Sequence, residues 1–188
     1  LEELIEIDIL INNVGIYTSK SFFDTPIETW KDQFQVNLMS SVSLSKHYLK
    51  GMLDRNWGRI LFISSECAYL VPPDMISYSA TKASMHAVSR GLAHITRGTQ
   101  VTSNVVVPGS TLTKGAKTFL ADKAKEYNTS PEAVEKDFFN NDRTSSLLKR
   151  FASTDEVATT IAYLCSPLSS ATNGSVIKVD GGSSGGIL

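Results

Sequence analysis

Tyr78 and Lys82 are the two residues whose types and spacing could carry out acid–base chemistry. They stand four positions apart in a segment that we expect to be helical, so their side chains should share one helix face. A free tyrosine has a pKa of about 10 and is a poor acid or base at neutral pH. A lysine ammonium one turn away stabilises the phenolate, which predicts a lowered tyrosine pKa and a general acid/base role for Tyr78.

Ser65 adds a hydroxyl group to this pair. It stands thirteen residues before Tyr78, at the end of a predicted strand, and open α/β sheets bind ligands at the carboxyl ends of their strands. A hydroxyl there could donate to a carbonyl oxygen and hold it beside the phenol. The Tyr-x-x-x-Lys spacing alone is a weak signal, because most such pairs are neighbours on a helix surface, so the interpretation depends on the surrounding elements.

Short apolar segments alternate with longer helical patterns along the chain. The predicted strands lie at 7–12, 59–64, 101–107 and 175–179, and the predicted helices at 26–54, 77–96, 114–126, 131–139 and 154–166. Thr25 and Ser153 precede two of these helices as expected N-caps, each with a glutamate three residues later. The alternation indicates one α/β domain over residues 1–188, a Rossmann-like doubly wound parallel sheet with flanking helices.

Composition argues against several classes of partner. The formal net charge of −1 provides no positive excess for binding nucleic acid or an anionic membrane, and the apolar segments are far too short to cross a bilayer. The two cysteines and three histidines show no metal-site spacing, so no metal is expected. With so few cysteines and no export signal, we expect a cytoplasmic location.

A series of short motifs surrounds Tyr78 and Lys82 in a defined order. They are Asn12-Asn13-Val14-Gly15, Asn37, Ser64-Ser65, Tyr78-Ser79-Ala80-Thr81-Lys82-Ala83-Ser84, Asn104-Val105-Val106-Val107-Pro108-Gly109 and Asp180-Gly181-Gly182. With these motifs the chain resembles, from Ile7 to Gly182, the short-chain dehydrogenase/reductase family, and within it the generic 3-oxoacyl carrier-protein reductases. The resemblance implies an oxidoreductase that transfers a hydride between NAD or NADP and a small-molecule carbonyl or alcohol substrate.

The resemblance also implies a catalytic role for four residues. Tyr78 would protonate the carbonyl oxygen or deprotonate the alcohol. Lys82 would lower the pKa of Tyr78 and bind the ribose hydroxyls of the nicotinamide half, while Ser65 would orient the substrate oxygen. Asn37, inside the first long helix, would hold a water that connects Lys82 to solvent.

The implied cofactor-binding residues come from loops at the strand ends and from the second long helix. Asn13 and Gly15 would line the adenosine side of the nucleotide. Residues 108–111 would pass beside the nicotinamide, with the backbone of Thr111 at its carboxamide, and Thr113 would contact a phosphate or the amide. The full set is Asn13, Gly15, Tyr78, Lys82, Pro108, Gly109, Thr111 and Thr113.

The sequence departs from the family pattern at its beginning. It starts at Leu1, and neither the family's Thr-Gly-x-x-x-Gly-x-Gly turn nor the residue that selects NAD or NADP is in it. We therefore expect the C-terminal portion of the domain, about four strands, with the first strands lacking. The alternatives are a truncated fragment that cannot bind the cofactor and a non-catalytic scaffold, although a scaffold has no need for four catalytic residues together.

Two further expectations concern association and substrate. Family members commonly form dimers or tetramers through the two long helices, which correspond here to 27–54 and 77–97, so a homo-dimer or homo-tetramer is expected. Segment 110–150 is polar and irregular, and we expect it to be a lid over the substrate. An apolar or acyl-type ligand would then be covered by Phe119, Leu120, Phe138 and Phe139.

Overall fold

The fold is built on a parallel sheet, seen in a computed structural model that describes residues 6–186. Within these residues the sheet has four strands in the order β1-β2-β3-β4, and each neighbouring pair is parallel. The strands are β1 (Ile9–Asn12), β2 (Gly58–Ile63), β3 (Val101–Pro108) and β4 (Val176–Val179). The predicted α/β class and parallel sheet are confirmed, because each apolar run forms a strand close to its expected bounds.

Helices connect the strands and cover both faces of the sheet. A π-helical turn, Phe34–Met39, joins α1 to α2, and a short 3₁₀ turn follows the last helix at Pro167–Ser169. The α-helices are α1 (Ile27–Gln33), α2 (Ser40–Asp54), α3 (Cys67–Leu70), α4 (Ile76–Ile95), α5 (Lys114–Glu126), α6 (Pro131–Asn141) and α7 (Thr154–Cys165). None of the helices within residues 6–186 is long and apolar enough to cross a membrane.

Strand β2 is covered on both faces of the sheet, and this explains its almost continuous apolar sequence. Phe62 packs with Met52 of α2 and Met85 of α4 on one side of the sheet. Leu61 packs with Leu164 of α7 on the other side. A strand covered on both faces has no solvent-facing side, and all six residues of β2 are buried.

Strand β1 is covered on one face only in the part of the chain that the structure describes. Leu10 belongs to the core under α2, whereas Ile9 and Ile11 on the opposite face are 41% and 43% exposed. Successive side chains of a strand point to opposite faces, which explains the alternation. Within residues 6–186, the other face of β1 is thus an apolar surface that no other element covers.

The two predicted helix caps differ in outcome. Ser153 and Glu156 form the expected capping box at α7, where Oγ of Ser153 accepts from the Glu156 backbone N–H at 3.1 Å. The predicted cap at Thr25 is wrong. Pro26, whose side chain has no hydrogen-bonding group, is the N-cap of α1. The Thr25 hydroxyl donates instead to the Ser21 carbonyl at 2.7 Å.

Segment 110–150 builds a small hydrophobic cluster of its own. Leu120 of α5 and Phe139 of α6 are buried in it, and Phe151 closes it from the following loop. The ring of Phe138 stacks on Phe151 with centroids 5.3 Å apart. Helices α5 and α6 therefore pack mainly on each other, at the carboxyl edge of the sheet rather than on one of its faces.

Candidate active site

The carboxyl end of β2 and the first turns of α4 carry the predicted reactive groups. Ser65 follows β2, while Tyr78 and Lys82 lie one turn apart on α4. The pairing of β2 with β3 continues beyond the strand, because the backbone N–H of Ser64 donates to the Val106 carbonyl at 2.8 Å and that of Glu66 to the Pro108 carbonyl at 2.9 Å. This extended pairing fixes the backbone on either side of Ser65.

Asn37 is fully buried in the π-helical turn and joins two other elements. Its Nδ2 donates to Oγ1 of Thr81 at 3.0 Å and to the Ile16 carbonyl at 2.9 Å, and its Oδ1 accepts from the Ile16 N–H at 2.7 Å. Single-turn π-bulges inside helices often occur at functional sites. Both amide donors of Asn37 are used by the protein, so its predicted water-holding role stays a prediction.

Lys82 is buried beneath the site. Its Nζ donates to the Ile63 carbonyl at 2.8 Å and lies 5.6 Å from the centroid of the Tyr78 ring. Burial disfavours the charged ammonium and lowers the pKa of Lys82 to about 8. A Cβ placed on Gly15 would lie 3.3 Å from this Nζ, so glycine keeps the approach to the ammonium open on that side.

The pKa of Tyr78 differs from the sequence expectation. Burial of the phenol raises it to about 12, and the hydrogen bond with Ser65 offsets only part of that increase. The predicted lowering by Lys82 is therefore wrong for the protein without ligands. The reason is that burial penalises the charged phenolate, and this is the largest effect on the pKa of Tyr78.

Ser65 completes the group at the sheet edge. It is partly buried, its proximity lowers the pKa of the Tyr78 phenol in part, and its Oγ accepts from the Cys67 backbone N–H at 3.1 Å. The structure thus brings Ser65, Tyr78 and Lys82 together, and Asn37 touches the same helix through Thr81. This arrangement can hold a substrate oxygen between a serine hydroxyl and a tyrosine proton donor.

The predicted cofactor residues after β3 lie on the same side. A Cβ on Gly109 would lie 2.7 Å from the Cα of Asp180, so only glycine allows the two chain segments to approach this closely. Gly109, Thr111 and Thr113 line one cavity together with Ser65 and Tyr78, and Pro108 ends the strand that leads into it. The Thr113 hydroxyl also caps α5 by accepting from the Ala116 N–H at 3.2 Å.

The loop after β1 contains the remaining two predicted cofactor residues, Asn13 and Gly15, and only Gly15 lies at the site. Gly15 lies beside Lys82, as its distance to Nζ shows. Asn13 is exposed and does not line the cavity around Tyr78 within the described residues. Its neighbour Asn12 is buried, and the Oδ1 of Asn12 has no hydrogen-bond partner within residues 6–186. The loop thus has the exposed Gly15 beside Lys82, and at its start the buried Oδ1 of Asn12 has no hydrogen-bond partner in the described part of the chain.

The cavity beside Ser65 and Tyr78 has a volume of about 490 Å³ and a largely aromatic wall. Phe119, Phe138 and Phe151 supply this wall, and Glu66 and Arg143 are its charged lining residues. Leu120 and Phe139, which the sequence also predicts to cover the ligand, do not line the cavity, because they are buried in the cluster between α5 and α6. A second cavity of about 680 Å³ adjoins it and shares Phe119, Phe138 and Arg143. The shared residues place both cavities beside segment 110–150, and the first of them also contains the reactive groups.

Tyr17, Glu66 and Arg143 are among the residues of this cavity that sequence reasoning missed. Tyr17 lies with its ring centroid 5.9 Å from that of Tyr78, and Glu66 forms an ion pair with Arg143. The motifs gave no signal for Tyr17 or Arg143, which follow strand β1 and helix α6 in irregular loops. A charged residue directly after the proposed Ser65 was the one available sign for Glu66.

Comparison with known proteins agrees with this geometry. A family described as enoyl-(acyl carrier protein) reductase matches residues 1–184. The uncharacterized oxidoreductase YvaG of Bacillus subtilis (strain 168) is 42% identical over 177 residues, which cover 94% of this chain and 67% of YvaG. The 3-oxoacyl-[acyl-carrier-protein] reductase FabG of Aquifex aeolicus (strain VF5) is 32% identical over 176 residues, covering 94% of this chain and 65% of FabG.

Solved structures give the same result. A short-chain dehydrogenase/reductase family protein superposes with a TM-score of 0.79 at 31% identity, covering 94% of this chain and 67% of its own. An actinorhodin polyketide ketoreductase crystallised with NADPH superposes with a TM-score of 0.83 at 27% identity, covering 96% of this chain and 68% of its own. This chain therefore spans about two thirds of the length of these relatives.

Proposed function

Because the chain belongs to the short-chain dehydrogenase/reductase family of oxidoreductases, we propose that it carries the proton-transfer site of an NAD(P)-dependent enzyme that interconverts a carbonyl and an alcohol. The observation that supports this proposal most strongly is the meeting of Ser65, Tyr78 and Lys82 at one end of the sheet, with Ser65 and Tyr78 on one cavity. We assign the general acid/base role to Tyr78 and the orientation of the substrate oxygen to Ser65.

The residues present fit the nicotinamide half of NAD or NADP. Gly15 leaves space beside the Lys82 ammonium, and Gly109 and Thr111 line the cavity next to Tyr78. Lys82 would bind the ribose hydroxyls, while the loop of Gly109 and Thr111 would flank the nicotinamide. When bound, the cofactor supplies or accepts the hydride. The actinorhodin polyketide ketoreductase, crystallised with NADPH, supports this class of cofactor.

The pKa values of Tyr78 and Lys82 indicate the protonation states of the two groups at neutral pH. A Tyr78 phenol with a pKa of about 12 is protonated at neutral pH, so it can donate its proton to a carbonyl oxygen that Ser65 holds. Lys82, with a pKa of about 8, is mostly charged at pH 7 and attracts the phenolate that this transfer leaves. At neutral pH the chain thus presents Tyr78 in the protonated form from which reduction of a carbonyl starts, and the same groups serve oxidation of the alcohol in reverse.

The cavity supports a substrate with an apolar body. Phe119, Phe138 and Phe151 form an aromatic wall facing the space that also contains Ser65 and Tyr78. Two of these aromatic residues lie in segment 110–150, to which we therefore assign the role of substrate lid. Relatives named for 3-oxoacyl and acetoacetyl substrates support an acyl-type carbonyl compound.

The surface of α2 and α4 supports self-association. Leu53 and Leu92 line an apolar groove of about 300 Å³ between the two helices, and Ile95 at its end is 61% exposed. We propose a homo-dimer or homo-tetramer formed through these helices. Light scattering coupled to size exclusion measures the mass, and a monomer at micromolar concentration would contradict this proposal.

We also propose a cytoplasmic location. Cys67 and Cys165 are both free thiols, and thiols persist in a reducing compartment. Fractionation of the source cells with an antibody against this chain tests the proposal. Recovery with secreted or envelope proteins would overturn it.

Nucleotide binding is the first experiment that tests the proposed activity. Fluorescence titration of the intact native protein with NADH and NADPH should show saturable binding of at least one, and the tighter one identifies the cofactor. Loss of its absorbance at 340 nm with a panel of 3-oxoacyl and simple ketone substrates should follow. Absence of binding by both nucleotides would overturn the proposal in favour of a chain without this activity.

A pair of glycine variants tests the fit of the nucleotide. Gly15→Ala should weaken nucleotide binding several-fold, because the new Cβ would lie 3.3 Å from the Nζ of Lys82. Gly91→Ala in α4 is the matched control, since a Cβ there meets nothing within 4 Å. Equal affinities in the two variants would remove Gly15 from the proposed cofactor site.

A further inference from the structure

Glu66 is a buried carboxylate directly after Ser65. It is 3% exposed, and its Oε1 accepts from Oγ of Ser110 at 3.0 Å and from Nε of Arg143 at 3.2 Å. Its Oε2 is also buried and has no hydrogen-bond partner within residues 6–186. A buried carboxylate is unfavourable unless it is paired and hydrogen-bonded, so the fold tolerates Glu66 because of these contacts.

The backbone of Glu66 is held as firmly as its side chain. Its N–H donates to the Pro108 carbonyl at 2.9 Å, and its carbonyl accepts from the N–H groups of Tyr69 and Leu70 at 3.0 Å each. Since Ser65 is the preceding residue, a displacement of the Glu66 backbone would also displace the backbone of Ser65. The contacts of Glu66 therefore support the position of a group that we assign to the substrate oxygen.

Arg143 links segment 110–150 to the carboxylate of Glu66. It follows α6, its side chain is 19% exposed, and its guanidinium carbon lies 5.4 Å from the centroid of the Phe138 ring. Its Nη1 donates to the Asp142 carbonyl at 3.1 Å. Arg143 thus ties the aromatic wall in segment 110–150 to the residue beside Ser65.

The loops after β2 and β3 and segment 110–150 therefore meet at the carboxylate of Glu66. Ser110 anchors the loop that contains Gly109 and Thr111, and Arg143 anchors the segment that contains Phe138. We propose that Glu66 and Arg143 are positioning residues that hold Ser65 and the aromatic wall at a set separation and so determine which substrates the cavity accepts. This inference rests on the proposed carbonyl–alcohol function of the site.

Kinetic variants of the intact native protein test the proposal. Glu66→Gln keeps an acceptor for Ser110 but removes the ion pair, and Arg143→Gln removes the charge from the other side. Arg143→Lys keeps the charge but loses the guanidinium geometry. We expect each variant to lower kcat/KM for the preferred substrate at least tenfold, mainly through KM, and to shift preference toward bulkier substrates. Nucleotide affinity should stay within about twofold of that of the native protein.

A double-variant cycle separates positioning from a general effect on stability. The double variant Glu66→Gln/Arg143→Gln should lose little more kcat/KM than either single variant, because both changes break the same contact. Arg55→Gln is the matched control: it removes an arginine that pairs with Asp8 at 3.1 Å, away from the cavity. That control should retain native kinetics.

Hydrogen–deuterium exchange supplies a readout that does not depend on turnover. Arg143→Gln should increase exchange in residues 131–151, whereas Arg55→Gln should leave this region unchanged. A native enzyme with turnover, but with kcat/KM, substrate preference and exchange all unaffected in the Glu66 and Arg143 variants, would overturn this inference alone. A native protein that binds neither NADH nor NADPH would overturn the proposed function and this inference with it.

Discussion

The reactive groups and segment 110–150 face one cavity but are stabilised in different ways. Asn37 and Lys82 are buried against the main sheet, with hydrogen bonds to backbone carbonyls at 2.9 and 2.8 Å. Segment 110–150 packs on a separate small cluster around Phe139, and its outer face is exposed. Regions with few buried contacts to the main core open more readily than the core itself. The difference indicates that the proton-transfer site resists local opening more than the substrate wall does.

Replacing the proposed proton donor in the rigid region should have the largest effect on turnover. Tyr78→Phe removes only the hydroxyl, so we expect turnover to fall by about 10²- to 10⁴-fold, the usual contribution of a general acid/base. Nucleotide affinity and the unfolding midpoint should change little, because the ring still fills its site. Steady-state rates and NAD(P)H titration of the variant measure both. Near-native turnover would remove Tyr78 from the mechanism.

Replacing Lys82 should separate activity from stability. Burial lowers the pKa of Lys82 from 10.5 to about 8, so between these values the folded state binds fewer protons than the unfolded state. Its contribution to stability therefore rises with pH across that window and is at its most unfavourable below pH 8. Lys82→Met should lower turnover, by less than Tyr78→Phe does, yet raise the free energy of unfolding at pH 7 by about 1–3 kcal/mol.

Urea denaturation at pH 7 and pH 10 checks the Lys82 prediction. The stability advantage of Lys82→Met over the native protein should shrink at pH 10, where the native lysine is neutral in the folded state. The hydrogen bond from Nζ to the Ile63 carbonyl opposes this gain. A variant less stable than the native protein at both pH values would mean that this hydrogen bond outweighs the burial of the charge.

Much of the rigid region was predictable from sequence because it is encoded locally. Apolar runs closed by asparagine, serine or Pro-Gly located the four strands, and the capping box at Ser153 located α7. The motif order predicted that Ser65 and Tyr78 would meet. The strand and cap signals lie within a few residues of the elements that they predict, so tertiary contacts do not alter them.

The errors concern properties that depend on tertiary contacts. The pKa of Tyr78 follows burial, which no spacing of Tyr78 and Lys82 reveals. The Thr25 hydroxyl turned to a carbonyl in the preceding loop, so the expected cap did not form. Glu66 and Arg143 are 77 residues apart in sequence, and their pairing depends on the placement of segment 110–150.

Two glycine substitutions sharpen the contrast between the regions. Gly109→Ala should lower the free energy of unfolding by about 1–3 kcal/mol, because its Cβ would lie 2.7 Å from the Asp180 Cα and backbone must move. Gly115→Ala in α5 meets only the Thr113 Oγ1, at 3.8 Å, and should be neutral or stabilising by up to about 1 kcal/mol. Chemical denaturation of both variants measures the difference, and equal effects would refute the contrast.

Two cap substitutions of the same type should have the smallest and most discriminating effects. The hydroxyls of Ser153 and Ser130 cap α7 and α6, accepting from backbone N–H groups at 3.1 and 3.3 Å respectively. Loss of such a cap costs about 1 kcal/mol.

Since α7 packs on the main sheet, Ser153→Ala should lower global stability by that amount. Since α6 belongs to the separate cluster, Ser130→Ala should increase hydrogen exchange in α6 and leave the global unfolding midpoint nearly unchanged. An equal loss of global stability in both variants would mean that segment 110–150 unfolds together with the sheet and is not a separately moving wall.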